Sequence, residues 1–127
     1  CVVDRLMELD LPVRGINVAE SPAMGERYGR LRDELWFLAK EWFESRDCKI
    51  PEQEELISDL SKPRFKFTSN GKLKVESKDE MKRRGLNSPD LADSFCLTFG
   101  STASVAKSGS AYKWNRPLNY SSNKWVV

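Results

Sequence analysis

Arg64-Phe65-Lys66-Phe67-Thr68-Ser69-Asn70-Gly71-Lys72-Leu73-Lys74-Val75-Glu76 reads as a β-hairpin. Both arms alternate polar and apolar residues, and Ser69-Asn70-Gly71 between them holds the Asn-Gly pair that tight hairpin turns favour. The period of two puts Phe65, Phe67, Leu73 and Val75 on one face and Arg64, Lys66, Lys72 and Lys74 on the other. A ribbon with one cationic face can lie along a phosphate backbone. The charge distribution agrees with this. Residues 62–84 carry nine Lys and Arg against three Asp and Glu, whereas residues 1–61 carry eight against fourteen. A net formal charge of +2 for the chain conceals this asymmetry.

Downstream of the hairpin, Ser77 and Glu80 have the spacing of a capping box, and Gly85 supplies a C-terminal stop, so a short helix is predicted over Lys78–Arg84. Ser88-Pro89-Asp90 opens a further helix, with Ser88 as cap and Pro89 at the first position. It is expected to run to about Phe99 and to end at Gly100. Upstream, Pro51 is expected in the first turn of a helix reaching Ser61, with Glu52, Glu54 and Glu55 at its positive end. Glu26 to Ser45 is the strongest helical signal. Tyr28, Leu31, Leu35, Leu38 and Trp42 recur at steps of three and four, and Trp36, Ala39 and Phe43 widen the stripe. Regular spacing of this kind marks a core face, not a base-stacking surface. Val13–Val18 alternates and reads as a short strand, and Val3, Leu6 and Met7 give helical spacing near the start. That first helix lacks an N-cap signal and opens on Cys1, as expected where sequence continues upstream.

The chain has 127 residues, 39% hydrophobic and 31% charged, which suits one domain with a modest core. No apolar run approaches the roughly 18–20 residues of a membrane span, and no leader sequence is visible. Histidine is absent, which excludes Ser-His-Asp triads and His-type zinc or haem sites. The three cysteines lack paired spacing, and Cys96 sits in an apolar stretch as a small buried hydrophobe. Residues 100–127 change character. Ser, Thr, Gly and Ala dominate up to Ala111 and predict a flexible linker, followed by a basic, aromatic tail over 112–127.

Asp90 and Asp93 stand three apart on one predicted helix and share a face. Asp93 lies within Leu91-Ala92-Asp93-Ser94-Phe95-Cys96-Leu97, where a carboxylate needs a partner or a metal. Mg²⁺ takes such hard oxygen ligands, one or two carboxylates completed by water and phosphate.

The lead-in Glu76-Ser77-Lys78-Asp79-Glu80-Met81-Lys82-Arg83-Arg84-Gly85, followed by Ser88-Pro89-Asp90-Leu91-Ala92-Asp93-Ser94, resembles the end of the nuclease domain in the large subunit of tailed-bacteriophage terminases. Gly25 to Trp36 and Val2 to Leu6 fit the same pattern, so the resemblance spans residues 1–99. It implies the C-terminal part of an α/β, RNase H-like nuclease fold: a truncated mixed sheet with flanking helices and a basic hairpin. It implies a parent endonuclease that uses two Mg²⁺ or Mn²⁺ ions to cut concatemeric double-stranded viral DNA during packaging. Asp93 matches the family's last acidic motif, with Asp90 as a possible second ligand. The other two acidic motifs fall upstream of Cys1, so the chain alone is expected to be inactive. Arg64, Lys66, Lys72, Lys74 and Lys78 are the expected DNA contacts. The resemblance further implies the portal protein as a partner through 112–127, the terminase small subunit as another, and the host cytoplasm as the place of action. The rival expectation is a non-catalytic module that binds DNA or portal through hairpin 64–76 and the tail, with Asp90 and Asp93 as helix-start acids.

Overall fold

The computed structural model describes residues 1–100. In chain order the elements are α1 (Val2–Glu8), α2 (Leu31–Glu44), α3 (Glu54–Ser61), β1 (Phe65–Phe67), β2 (Leu73–Val75), α4 (Lys78–Arg83) and α5 (Asp90–Leu97). The fold is mixed α/β, with helices flanking a small antiparallel sheet. The linker and tail expected over 100–127 lie outside the described residues, except Gly100, which is buried. A methyl group at Gly100 would meet the Ile16 Cδ1 at 2.3 Å, so a larger residue there requires the end of the Ile16 side chain to move.

The expected hairpin forms, and its register sets Phe65 opposite Val75, Lys66 opposite Lys74 and Phe67 opposite Leu73. Backbone bonds extend the pairing, from Glu76 N–H to Arg64 C=O at 2.8 Å and from Thr68 N–H to Lys72 C=O at 2.7 Å. Ser69-Asn70-Gly71 closes as a three-residue loop. Gly71 N–H donates to Thr68 C=O at 2.9 Å, and Gly71 takes φ +74°, the left-handed conformation this loop demands. The apolar face of the hairpin does not enter the core as a unit. Val75 is buried, whereas Phe65 and Phe67 are more than half exposed. The reason is that α2 packs against β2, and Phe65 meets it only edge-on through Phe37 at 5.5 Å between ring centroids.

Helix α4 has the ends its sequence foretells. Ser77 Oγ accepts from Glu80 N–H at 3.1 Å, and the Glu80 carboxylate accepts from Ser77 N–H at 2.8 Å. Gly85 (φ +77°) donates to Lys82 C=O at 2.9 Å, and Leu86 donates to Met81 C=O at 3.1 Å. That pair of bonds is a Schellman stop.

Other expectations are corrected. Val13–Val18 is not a strand, because its end is spent on capping. Val18 C=O accepts from Arg32 N–H at 3.1 Å and Glu20 C=O from Leu31 N–H at 2.9 Å, which satisfies donors that the start of a helix leaves free. Helix α2 begins at Leu31, five residues after Glu26, because Arg27 and Tyr28 are drawn beside β2. Leu73 N–H donates to Arg27 C=O at 2.7 Å, and Tyr28 forms a parallel bridge with Leu73. Pro51 lies before α3, not in its first turn; its carbonyl accepts from Gln53 N–H. In α5 the cap is Pro89, whose carbonyl accepts from Asp93 N–H at 2.8 Å, and the helix ends at Leu97, before Phe99.

The core joins α2, β2 and α5 through Leu35, Trp36, Ala39, Val75, Ala92 and Cys96. The α2 stripe is therefore a packing face, as its spacing indicates. Trp42, Phe43, Phe95 and Phe99 extend it as tilted and edge-on ring pairs. Cys96 is 2% exposed, and burial pushes its thiol up to about 12. It is an inert apolar filler.

Buried Asp33 closes the fold. Its Oδ1 accepts from Val75 N–H at 2.9 Å and its Oδ2 from Arg30 N–H at 3.1 Å. Asp33→Ala strands the buried Val75 donor and is expected to cost about 2–3 kcal/mol, since hydrogen bonds to charged groups lie near the top of the usual range. Urea denaturation should show a lower midpoint at unchanged slope.

Candidate functional site

Helix α5 presents Asp90 and Asp93 on one face, three residues apart, as the sequence indicates. Asp90 is exposed and Asp93 is only 20% exposed at its side chain. The two carboxylates converge on one cation. Lys78 Nζ lies 2.9 Å from Asp90 Oδ1 and 3.2 Å from Asp93 Oδ2. Lys78 stands at the start of α4, directly after the capping Ser77, and the capping box aims it across toward α5. Asp90 holds the Lys78 ammonium above its ordinary pKa, and Asp93 adds to this. Lys78 in turn holds the Asp90 carboxyl below its usual range, aided by Ser88. Thus Ser88, expected as a backbone cap, acts on the Asp90 carboxylate.

Asp93 has two further partners that sequence reasoning missed. Trp36 Nε1 donates to Oδ1 at 2.9 Å, and Arg32 Nε donates to the same oxygen at 3.3 Å. Both come from the first turns of α2, 57 and 61 residues away in sequence, and no local signal pairs them with α5. The group lines a cleft of about 280 Å³ with Val18, Leu35 and Leu97 on its apolar side. Among the described residues no three carboxylates or thiols gather as a metal site. The Asp90–Asp93 pair nevertheless has the chemistry for a divalent ion: two hard oxygens already aimed at one positive charge, with the Lys78 ammonium standing where a cation fits.

The other expected site residues lie on the hairpin. Cross-strand register places Lys66 and Lys74 directly opposite, a like-charge pair that calls for an anion. Glu80 meets part of that need by accepting from Lys66 Nζ at 2.6 Å. Among the described residues no ion pair engages the side chains of Arg64, Lys72 or Lys74. Beside them, a groove of about 370 Å³ runs between the hairpin and α4, lined by Arg64, Phe65, Lys66, Glu80, Arg83 and Arg84. Arg84 grips Glu76 through two bonds of 2.7 and 2.6 Å, which fastens α4 to the end of β2. Lys78 is separated from these cations in role, because it is engaged with the two aspartates.

Solved structures similar to this chain are nuclease domains of the large terminase subunit of bacterial virus Sf6. The domain itself matches with a TM-score of 0.50 and 26% identity, covering 58% of this chain and 42% of that one. A lysine-to-alanine variant with manganese matches at 0.50 and 25%, covering 58% and 43%. The same variant with calcium matches at 0.50 and 25%, covering 58% and 42%. The chain therefore spans less than half the length of these domains. No protein-family model matches it, and no curated protein matches it. Among the described residues no helix is long and apolar enough to cross a membrane. The mixed α/β fold is thus similar, over a little more than half of this chain, to nuclease domains of the large terminase subunit.

The Lys66–Glu80 contact makes stability depend on pH. Lys66, then the Ser77 N–H and hydroxyl, lower the Glu80 carboxyl from 4.5 to about 2. A carboxylate depressed in the folded state stabilises it above the unfolded value, and that contribution is lost as pH falls toward the folded one. Glu80→Gln is expected to lower the melting temperature at neutral pH and to flatten its decline between about pH 4.5 and 2. Circular dichroism melts across that window check this; an unchanged decline would show that Glu80 is not responsible.

Proposed function

We infer that the chain is a C-terminal part of an RNase H-like nuclease domain from a phage terminase large subunit. The protein it represents is a metal-dependent endonuclease that cuts concatemeric double-stranded viral DNA during packaging. The observation that carries this reading is the convergence of Asp90 Oδ1 and Asp93 Oδ2 on one positive charge, in a fold similar to nuclease domains that include one with manganese. On this reading Asp93 and Asp90 hold Mg²⁺ or Mn²⁺, with the remaining carboxylates contributed from outside these 127 residues, so that the chain alone is inactive. A pair of such ions, when bound, activates a water and stabilises the leaving oxygen of an in-line displacement.

The chain's own residues have distinct tasks. Asp93 and Asp90 offer oxygens. Lys78 balances their charge in the absence of a metal and must move aside for one, since an ammonium and a metal cannot share the position. Arg64, Lys66, Lys72 and Lys74 hold the duplex backbone without reading bases, and the opposed Lys66 and Lys74 make a phosphate the natural occupant of that face. The tail 112–127 docks on the portal protein, the small subunit is a further partner, and the complex works in the cytoplasm of the bacterial host.

A second reading draws on a specific observation: both aspartates already have protein cations as partners, Lys78 and, for Asp93, also Arg32. Then the chain is a non-catalytic module that binds DNA or portal, and Asp90 and Asp93 are structural. Cleavage of supercoiled plasmid in Mg²⁺ or Mn²⁺ by a protein spanning the whole nuclease domain separates the two. The nuclease reading expects cutting that Asp93→Asn abolishes with little change in melting temperature. The module reading expects no cutting, or cutting that survives the substitution. For the hairpin, Lys72→Ala with Lys74→Ala should weaken duplex binding by the 127-residue chain equally for unrelated sequences. It should also lower the slope of log affinity against log salt by roughly two, about one per lysine. Mobility-shift titrations at several salt concentrations check this.

A further inference from the structure

The two oxygens of Asp93 have separate surroundings. Oδ1 accepts the Trp36 indole N–H at 2.9 Å and the Arg32 Nε–H at 3.3 Å. Arg32 Nη2 lies 3.2 Å from the same oxygen, as an ion pair more than an aligned hydrogen bond. Among the described residues Oδ2 faces only Lys78, at 3.2 Å. Arg32 has a second anchor: its Nη1 donates at 3.0 Å to the carbonyl of Glu76, two residues before Lys78. Its guanidinium also lies 5.7 Å over the Trp36 ring. One guanidinium therefore fixes both the carboxylate on α5 and the chain segment that delivers Lys78. The Arg32 and Asp93 side chains are only 16% and 20% exposed, so water competes little for these contacts.

We propose that Arg32 and Trp36 are the positioning residues of the metal site: they occupy Oδ1, so that Asp93 presents a single oxygen, Oδ2, beside Asp90 Oδ1. This rests on the reading of Asp90 and Asp93 as ligands and adds two residues and a ligation mode to it. The physical need is plain. The terminal torsion of an aspartate is broad, so a carboxylate without outer partners turns and offers either oxygen or both. Two donors from a neighbouring helix remove that freedom. Such outer partners orient the ligand, and losing one typically costs about tenfold to a hundredfold in metal affinity. Trp36 is the cleaner probe, because its N–H is neutral and its loss leaves the local charge unchanged. Loss of the Arg32 charge would by itself favour a metal and mask the effect.

The test is a Mn²⁺ titration of the ¹⁵N-labelled 127-residue chain by NMR, reading paramagnetic broadening of the Asp93 and Ser94 amides, which detects weak binding without any cleavage. The wild-type chain should show local broadening that Asp93→Asn removes. Trp36→Phe keeps a ring in the core but lacks the donor, and it should need about tenfold to a hundredfold more Mn²⁺ for the same broadening. A Trp36→Phe midpoint equal to wild type, with Asp93→Asn still abolishing the effect, overturns the positioning role and leaves Asp93 a ligand. Broadening that survives Asp93→Asn, or none at these amides in the wild-type chain, overturns the ligand reading and the proposal with it. Should Trp36→Phe lose the dispersed spectrum of a folded chain, Arg32→Lys carries the same test, since it keeps the charge and loses the planar fork. It should shift the midpoint in the same direction, and no shift would overturn the proposal.

Discussion

The acceptance of the Val75 N–H by buried Asp33 is the interaction on which the remaining geometry depends. A sheet of two three-residue strands is marginal in water unless something covers it. Here α2 covers it, and Asp33 couples the start of that helix to the end of β2. Its neighbours reach in other directions, because successive helical residues are turned by about a quarter of a revolution or a little more. Arg32 reaches α5 through Asp93, and Glu34 accepts from the N–H groups of Ala23 and Met24 at 2.7 and 3.3 Å. Three consecutive charged residues thus tie one helical turn to a helix, a strand and a loop. Leu35 and Trp36 follow directly and carry the same turn into the apolar core.

Ion pairs also join the hairpin to the two helices after it. Arg84 holds Glu76, Lys66 holds Glu80, and Lys78 holds Asp90 and Asp93. Glu80 has two tasks, capping α4 and balancing Lys66. This leaves the basic surface divided. Lys66 and Arg84 are partly neutralised by carboxylates, whereas among the described residues no ion pair engages Arg64, Lys72 or Lys74, and the like charge of Lys74 still stands opposite Lys66. On the proposed reading, the division separates a face for a phosphate backbone from a site for a cation.

Much of the site was legible because its signals are local. The Asn70-Gly71 turn, the Ser77–Glu80 capping box and the Gly85 stop each depend on residues within a few positions, and all formed as read. The shared face of Asp90 and Asp93 follows from helical spacing alone. The core role of the α2 stripe and the burial of Cys96 follow from periodicity. What failed was equally consistent in kind. Val13–Val18 has strand alternation, but a strand needs an edge to pair with, and its end is used to cap α2. The period of Tyr28 and Leu31 suggested an earlier start for α2, but the backbone at Arg27 was claimed by Leu73.

By itself the sequence determined the hairpin and its two faces, the ends of α4, the apolar stripe of α2 and the placing of two carboxylates on one face of α5. Each of these needs only the period of the backbone and the chemistry of a turn or cap. Only the tertiary structure decided what the carboxylates meet. Trp36 and Arg32 reach Asp93 across 57 and 61 residues, and Lys78 leaves the company of the hairpin lysines to stand between the aspartates. An isolated pattern cannot assign such partners, because a carboxylate in an apolar run needs some partner, and which one arrives is set by how the helices pack.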